Sequence, residues 1–291
     1  MKYLLLVVLY VLSMPSFGET KIFSPKNIST FGLTNTKQLV LTFDDGPVGT
    51  SSTGTTKSIL DSLKLYNEAG YNISATFFVL GNKIKGREAL LSRMKEEGHI
   101  IANHTFKHDN LRNTRYDNAT TLINELLRAH TSISSFLSSE DDPDKRWYFR
   151  APFGAWRNTR AEMLNKHTVL RNYIGPLFWT IGGVLEIDRA TGIPLRSADW
   201  NCWSKRLAAK TCAHGYIRQT EKHKGGVVLF HDINIKTAEM LKYLLVTWTG
   251  FNAFKDAEYE SLARTYNVSR YDFVSLDDLD ALDTYDQRIL R

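Results

Sequence analysis

Gln38-Leu39-Val40-Leu41-Thr42-Phe43-Asp44-Asp45-Gly46-Pro47 is the stretch on which the fold turns. Residues 38–43 form a short, apolar, β-rich run that reads as a buried strand, and Asp-Asp-Gly-Pro ends it in a turn. Further along, residues 57–68 repeat apolar side chains at helical spacing through Ile59, Leu60, Leu63 and Tyr66, with Gly70 beyond the end. A strand follows at 75–79, an amphipathic helix at 87–97 closed by Gly98, a strand at 99–102 and a helix at 121–136. Later strands are expected at 147–149, 177–181, 227–230 and 273–275, with helices at 159–166 and 237–247. Such alternation predicts an α/β fold with a mostly parallel sheet, open or closed into a barrel. No repeat, low-complexity tract or Gly/Ser/Pro linker interrupts it, so residues 19–291 are expected to form a single domain. Residues 182–225 read as one long irregular stretch, a kind of segment usually kept for function.

The whole chain has 291 residues, 43% hydrophobic and 12% aromatic, enough to bury a full core; this excludes a disordered protein, a coiled coil or a small disulfide-stapled module. Its net charge of +6 suits a polyanionic partner. The basic residues are scattered, which gives no footprint for nucleic acid. Residues 1–18 read as a secretory leader: Lys2 is the basic start, residues 3–12 are apolar, and small residues precede a cleavage point between Gly18 and Glu19. An apolar run of that length is too short to span roughly 30 Å of hydrocarbon. The mature chain is therefore expected to be exported, periplasmic or secreted, with no membrane segment, and to act as a monomer. Export places the only two cysteines, Cys202 and Cys212, in an oxidising compartment, where a local disulfide is the expected state.

The residues capable of chemistry stand just past strand ends, where parallel α/β folds bind their ligands. Asp44 and Asp45 follow the first strand, and His104 and His108 follow the strand at 99–102. Arg150 follows 147–149, and His231-Asp232 follow 227–230. Two imidazoles four residues apart can face one way, and with one carboxylate they make a two-His, one-Asp set that leaves coordination positions free. A borderline ion such as Zn²⁺ accepts these donors, and free positions mark a catalytic rather than a structural site. Neighbouring carboxylates in a turn point differently, so one of Asp44 and Asp45 can bind the ion while the other takes a proton from water bound to it. A cation beside the second carboxylate would keep it ionised, and Arg150 is the candidate.

Taken together, Thr42-Phe43-Asp44-Asp45-Gly46-Pro47, His104-Thr105-Phe106-Lys107-His108, Arg150-Ala151-Pro152-Phe153-Gly154, Asp199-Trp200 and Leu229-Phe230-His231 resemble the five ordered motifs of the polysaccharide deacetylases, the NodB-homology proteins of carbohydrate esterase family 4. The resemblance extends from about residue 39 to 276. It implies a distorted (β/α) barrel of seven or eight mostly parallel strands. It also implies a metal triad of Asp45, His104 and His108 holding one divalent ion, usually zinc, with cobalt or nickel as substitutes. Asp44 would be the general base with Arg150 as its partner, and His231 the general acid oriented by Asp199. Trp200 and Leu229 would wall the acetyl methyl, and the backbone N–H of Phe153 would face the oxyanion. The family often shows Asp-x-x-Asp-Trp in the fourth motif, whereas Arg196 stands here at the first Asp.

The implied reaction is hydrolysis of an N-acetyl group on a glycan. It needs a nucleophile at neutral pH, a stabilised oxyanion and a proton for the amine leaving group. Peptidoglycan N-acetylglucosamine is the expected substrate. Chitin, poly-N-acetylglucosamine and O-acetyl xylan lie within the same family's range. A carbohydrate-binding protein without chemistry and a hydrolase of small amides or esters are the readings from other classes.

Overall fold

In the computed structural model of the chain, residues 23–28, 33–137, 147–267 and 270–279 are described, the first segment by its backbone alone. The expected leader, residues 1–18, lies outside them. The strands are β1 (Phe23–Ile28), β2 (Gln38–Asp44), β3 (Thr76–Val79), β4 (Ile100–Asn103), β5 (Trp147–Tyr148), β6 (Tyr173–Leu177), β7 (Glu186–Ile187), β8 (Pro194–Arg196), β9 (Gly226–His231) and β10 (Asp272–Phe273). The α-helices are α1 (Thr55–Glu68), α2 (Glu88–Glu96), α3 (Ala119–Ile133), α4 (Asn158–Asn165), α5 (Asp199–Ser204), α6 (Ala209–His223), α7 (Ile235–Thr249) and α8 (Glu260–Tyr266).

A five-stranded sheet has β2 at its centre. β9 runs beside β2 from Leu39↔Gly226 to Asp44↔His231, while β3 and β10 share its other edge and β4 lies outside β3. A three-stranded sheet follows the order β1-β6-β5, and every pairing in both sheets is parallel. Single parallel bridges continue the array at either side: Asn103↔Phe149 joins β4 to the residue after β5, and Ile181↔Val228 joins β9 to the chain beyond β6. The expected distorted barrel is thus built from two arcs. The β7–β8 hairpin is antiparallel and stands apart.

Alternation along the strands separates two apolar layers. Leu39, Leu41 and Phe43 of β2, Phe77 and Val79 of β3, and Val228 and Phe230 of β9 pack outward with the helices. Val40, Phe78, Ala102, Tyr148 and Val227 form a smaller cluster on the inner faces. The phenyl rings of Phe43, Phe77 and Phe230 stack across neighbouring strands at 5.0 and 5.3 Å. Helix α7 packs between α1 and α6 and is buried along most of its length.

Two expectations are corrected. The strand placed at 177–181 is found at Tyr173–Leu177, and Ile181 keeps only an isolated bridge. Gly175-Pro176 looks like a turn signal, yet it lies inside β6 where the register of β1 shifts; an irregularity of this kind tolerates a residue with no N–H to donate. The stretch 182–225 is largely regular. It holds the hairpin, α5 and α6, and the expected Cys202–Cys212 disulfide joins the two helices. Helix α6 buries Cys212, Ala213, Tyr216, Ile217 and Thr220, a stripe diluted by polar and small residues and so a weak periodic signal. Gly215 belongs to that stripe because a Cβ there would meet Ser197 Oγ at 2.2 Å and the backbone of Arg196 at 2.6 Å. Strand β1 and helix α8 were not anticipated.

Candidate active site

On four strands the inward alternation runs to the strand end or just past it. Val40, Thr42 and Asp44 follow one another on β2, Val227, Leu229 and His231 on β9, Ile100, Ala102 and His104 on β4, and Tyr148 and Arg150 on β5. The register sets Asp44 beside His231 and Phe78, and Asn103 beside Phe149. Four polar side chains therefore emerge at one end of the barrel, facing inward, because of period-2 geometry alone.

Asp45 joins them by breaking that period. Its φ of +74° turns the chain, and its N–H donates to the Phe78 carbonyl at 3.2 Å, while Leu80 N–H donates to the Gly46 carbonyl and Lys83 Nζ to the Asp45 carbonyl. The Asp45 carboxylate consequently faces the histidines: Oδ1 lies 3.3 Å from His104 Nε2 and 3.0 Å from His108 Nε2. His104 Nδ1 stands 2.9 Å from the Arg150 carbonyl oxygen, which accepts its N–H and leaves Nε2 as the lone-pair nitrogen. Asp45, His104 and His108 each offer one donor atom, all within 4.8 Å of one another. Asp45 Oδ1 is buried and accepts no hydrogen bond of good geometry. One carboxylate and two imidazole nitrogens converging with an unsatisfied oxygen is a donor set that fits a divalent cation of the zinc type. Burial pushes the Asp45 carboxyl up, but the facing imidazoles of His104 and His108 outweigh it and hold the group far below the usual carboxylate range.

Arg150 and Asp44 form the second part. The guanidinium is fully buried, donating from Nη1 to Asp44 Oδ1 at 2.7 Å and to Thr42 Oγ1 at 2.8 Å. Its Nε and Nη2 reach the carbonyls of Leu177 and Phe178, and its plane covers the Phe78 ring at 4.1 Å. Four hydrogen bonds from its three nitrogens, one of them to a carboxylate, are what make a buried charge tolerable. Asp44 Oδ2 remains 3.7 Å from His104 Nε2, beside the triad and outside it.

His231 and Asp199 form the third. His231 Nδ1 donates to Asp199 Oδ1 at 2.7 Å, and the His231 backbone N–H donates to Oδ2 at the same distance. Asp199 opens α5 and is itself held by Thr237 Oγ1 (2.9 Å), its N–H donating to Tyr216 Oη (3.1 Å). Burial disfavours the imidazolium, but the Asp199 charge and hydrogen bond, with Asp45 and Asp44 behind them, raise His231 to about 9. Its side chain keeps 15% exposure, so it is reachable.

The expected residues thus gather as Asp45–His104–His108, Asp44–Arg150 and His231–Asp199. Phe153, at φ +59°, is 66% exposed and sets its ring 4.5 Å from that of His108. Trp200 is half exposed and meets the site through its backbone N–H, which donates to Asp199 Oδ1. Leu229 is buried two residues before His231, its carbonyl accepting the Tyr216 hydroxyl. Arg196, at the departure from the usual fourth motif, pairs with Glu186 across the hairpin.

Thr237 and Glu125 escaped sequence reasoning, which places Asp232 past its strand end without a role. Thr237 gives no signal, being one more polar residue in a helix's first turn. Asp232 follows His231 and is buried, its Oδ2 accepting from Thr56 Oγ1 at 2.6 Å; a Cβ on Gly46 would strike its carboxylate, so this glycine lets the turn pack there. Burial raises Asp232 to about 7 against the pull of the Thr56 hydrogen bond. Glu125 sits on the apolar stripe of α3 with Leu122, Leu126, Ala129 and Ile133, and an acid on such a stripe was the available clue.

Residues 32–170 match the sequence profile of the family described as Polysaccharide deacetylase. Over 210 residues the chain is 29% identical to the peptidoglycan-N-acetylmuramic acid deacetylase PdaA of Bacillus subtilis, covering 72% of this chain and 65% of the relative. Over 211 residues it is 28% identical to the peptidoglycan-N-acetylglucosamine deacetylase PgdA of Listeria monocytogenes, covering 70% of this chain and 34% of that one. The chain accordingly spans less than two thirds of either relative's length. The solved structure of Bacillus subtilis PdaA, described as a family 4 carbohydrate esterase, superposes with a TM-score of 0.56 at 26% identity, covering 85% of this chain and 83% of that one.

Proposed function

We propose that the chain, whose residues 32–170 match the polysaccharide deacetylase profile, belongs to that family and is a metal-dependent hydrolase removing N-acetyl groups from cell-wall glycan, with peptidoglycan N-acetylglucosamine as its sugar. The observation that carries this reading is the convergence of three groups at one barrel end: a divalent-ion donor set, a carboxylate locked by a buried arginine, and a histidine hydrogen-bonded to a buried aspartate. The half-exposed Trp200 and the exposed Phe153 offer apolar faces of the kind that stack on sugar rings. The Cys202–Cys212 bridge supports an exported chain.

Asp45, His104 and His108 would hold the ion, zinc being the one their donor set suits best. When bound, a divalent cation supplies Lewis acidity, acidifying water and polarising the acetyl carbonyl. Asp44 takes the proton of the attacking water on its carboxylate. Arg150 keeps that carboxylate in place through Nη1, so the base cannot swing away as it gains the proton. The Phe153 backbone N–H would donate to the oxyanion. His231 then protonates the departing amine: with Nδ1 committed to Asp199, Nε2 is the nitrogen left to face substrate. Trp200 and Leu229 bound the space for the acetyl methyl.

Incubation with purified peptidoglycan and with chitin oligomers, followed by mass spectrometry, tests the proposal. A loss of about 42 Da per sugar, metal-dependent and on peptidoglycan first, is the expected result of this metal-assisted hydrolysis. Because the two relatives are named for different peptidoglycan sugars, the position of the loss distinguishes N-acetylglucosamine from N-acetylmuramic acid. Glycan binding with no mass change at any metal loading would sink the reading.

A further inference from the structure

The loop presenting both imidazoles, residues 104–108, has an unusual set of restraints. Thr105 and His108 have φ of +73° and +65°, a left-handed conformation that side-chain-bearing residues keep only where their surroundings hold them. Each of the loop's N–H groups has an identifiable acceptor. His104 donates to the Val79 carbonyl, Thr105 to Asn103 Oδ1 and His108 to Thr105 Oγ1. The N–H groups of Phe106 and Lys107 both donate to one atom, Glu125 Oε1, at 3.0 and 2.5 Å. Consecutive N–H groups converging on an anion make a nest, and here a buried carboxylate from α3 fills it. The same helix grips the loop twice more: Asn103 Nδ2 donates to the Leu126 carbonyl, and the Arg128 guanidinium covers the Phe106 ring at 3.7 Å. Glu125 is the side-chain acceptor that reaches these N–H groups from another element; Asn103 and Thr105 act within their own segment.

We infer that Glu125 is a positioning residue for the metal ligands: its carboxylate fixes the 104–108 loop in the shape that aims the Nε2 atoms of His104 and His108 at Asp45, and thereby sets the affinity for the divalent ion. This rests on the metal-dependent reading above. A carboxylate serving only the stability of α3 would leave metal affinity untouched once the protein is folded, whereas a positioning group moves it directly. Partners at one remove from a metal typically change affinity by about 10–100-fold when deleted.

The test is titration of chelator-stripped protein with Co²⁺ and Zn²⁺, reading dissociation constants and the visible Co²⁺ spectrum, with circular dichroism confirming that each apoprotein is folded. Glu125→Ala is expected to weaken Co²⁺ binding by about 10–100-fold and alter the spectrum. Glu125→Gln, whose amide oxygen can still accept both N–H groups, should stay close to the parent. Should Glu125→Ala fail to fold, Glu125→Asp, too short to reach both N–H groups, replaces it with the same expected loss. Parent-like affinity and spectrum in the truncated variant, or an equal loss in Glu125→Gln, would overturn the inference while leaving the metal site standing. A parent protein that binds neither ion would overturn both.

Discussion

Asp44 and Asp45 are neighbours with the same functional group, and their surroundings give them different work. Asp45 faces two imidazole nitrogens, while Asp44 is bound to a guanidinium that pairs with no other carboxylate among the described residues. Asp44→Asn should therefore keep its metal and lose about 10²–10⁴-fold in turnover, the usual contribution of a general base. His104→Ala should lose metal and turnover together. Metal content and kcat measured on the two variants decide this, and an active Asp44→Asn would remove the base assignment. His231 gives a pH dependence. Its folded value of about 9 lies above the ordinary 6.5, so the stability and the proton it contributes are fully present below pH 6.5 and are lost as pH climbs through 9. Activity should fall along that alkaline limb. Asp199→Asn removes the principal partner that raises the group, so the limb should move to lower pH; an unmoved limb would separate Asp199 from the acid. At this scale much was legible in the sequence, because Asp44, Asp45, His104, His108, Arg150 and His231 each sit at or just past a strand end. Thr237 and Glu125 were not, because their importance lies in an atom 38 or about 19 positions away.

Strand and helix patterns explain which elements could be read in advance. β2, β3, β4 and β9 are short apolar runs with clear stops, and α1, α2, α3 and α7 bury stripes at helical spacing. β6 was displaced by four residues because Gly175-Pro176 signals a turn to local reasoning, while the partner strand's irregular register accommodates it. α6 was missed because its buried face includes Gly215, Thr220 and Gln219, residues that carry little periodic hydrophobicity. Gly215 is buried against Ser197 just ahead of α5, and α5 supplies Asp199, so this contact helps set where the His231 partner stands. Gly215→Ala forces a Cβ into the Ser197 hydroxyl and the Arg196 backbone, and should lower stability by about 1–3 kcal/mol. Thermal or urea unfolding measures it. An unchanged midpoint would mean that the hairpin and α6 give way freely.

On the scale of the whole molecule, the site exists because two sheets meet. Asp45 comes from the five-stranded sheet and so do both histidines, whereas Arg150, which fixes His104 through its carbonyl and Asp44 through its guanidinium, comes from the end of β5 in the other sheet. A bound ion would tie the β2 turn to the β4 loop and should raise the unfolding free energy by about 2.7 kcal/mol at a concentration a hundredfold above its Kd. Calorimetry of metal-loaded and chelated protein should show this as a higher melting temperature with metal. Coincident transitions would count against a resident ion at the triad. The amino-acid sequence by itself determined the strand–helix alternation, the inward phase of the strand-end residues and the disulfide, because each follows from spacing within one segment or from the pairing of two cysteines. Tertiary structure alone decided that Asp45 turns into the barrel at positive φ, that Thr237 holds Asp199, and that Glu125 fills the nest behind the histidines. Those outcomes depend on strand register and on where one element packs against another, and neither quantity is written in any single stretch of chain.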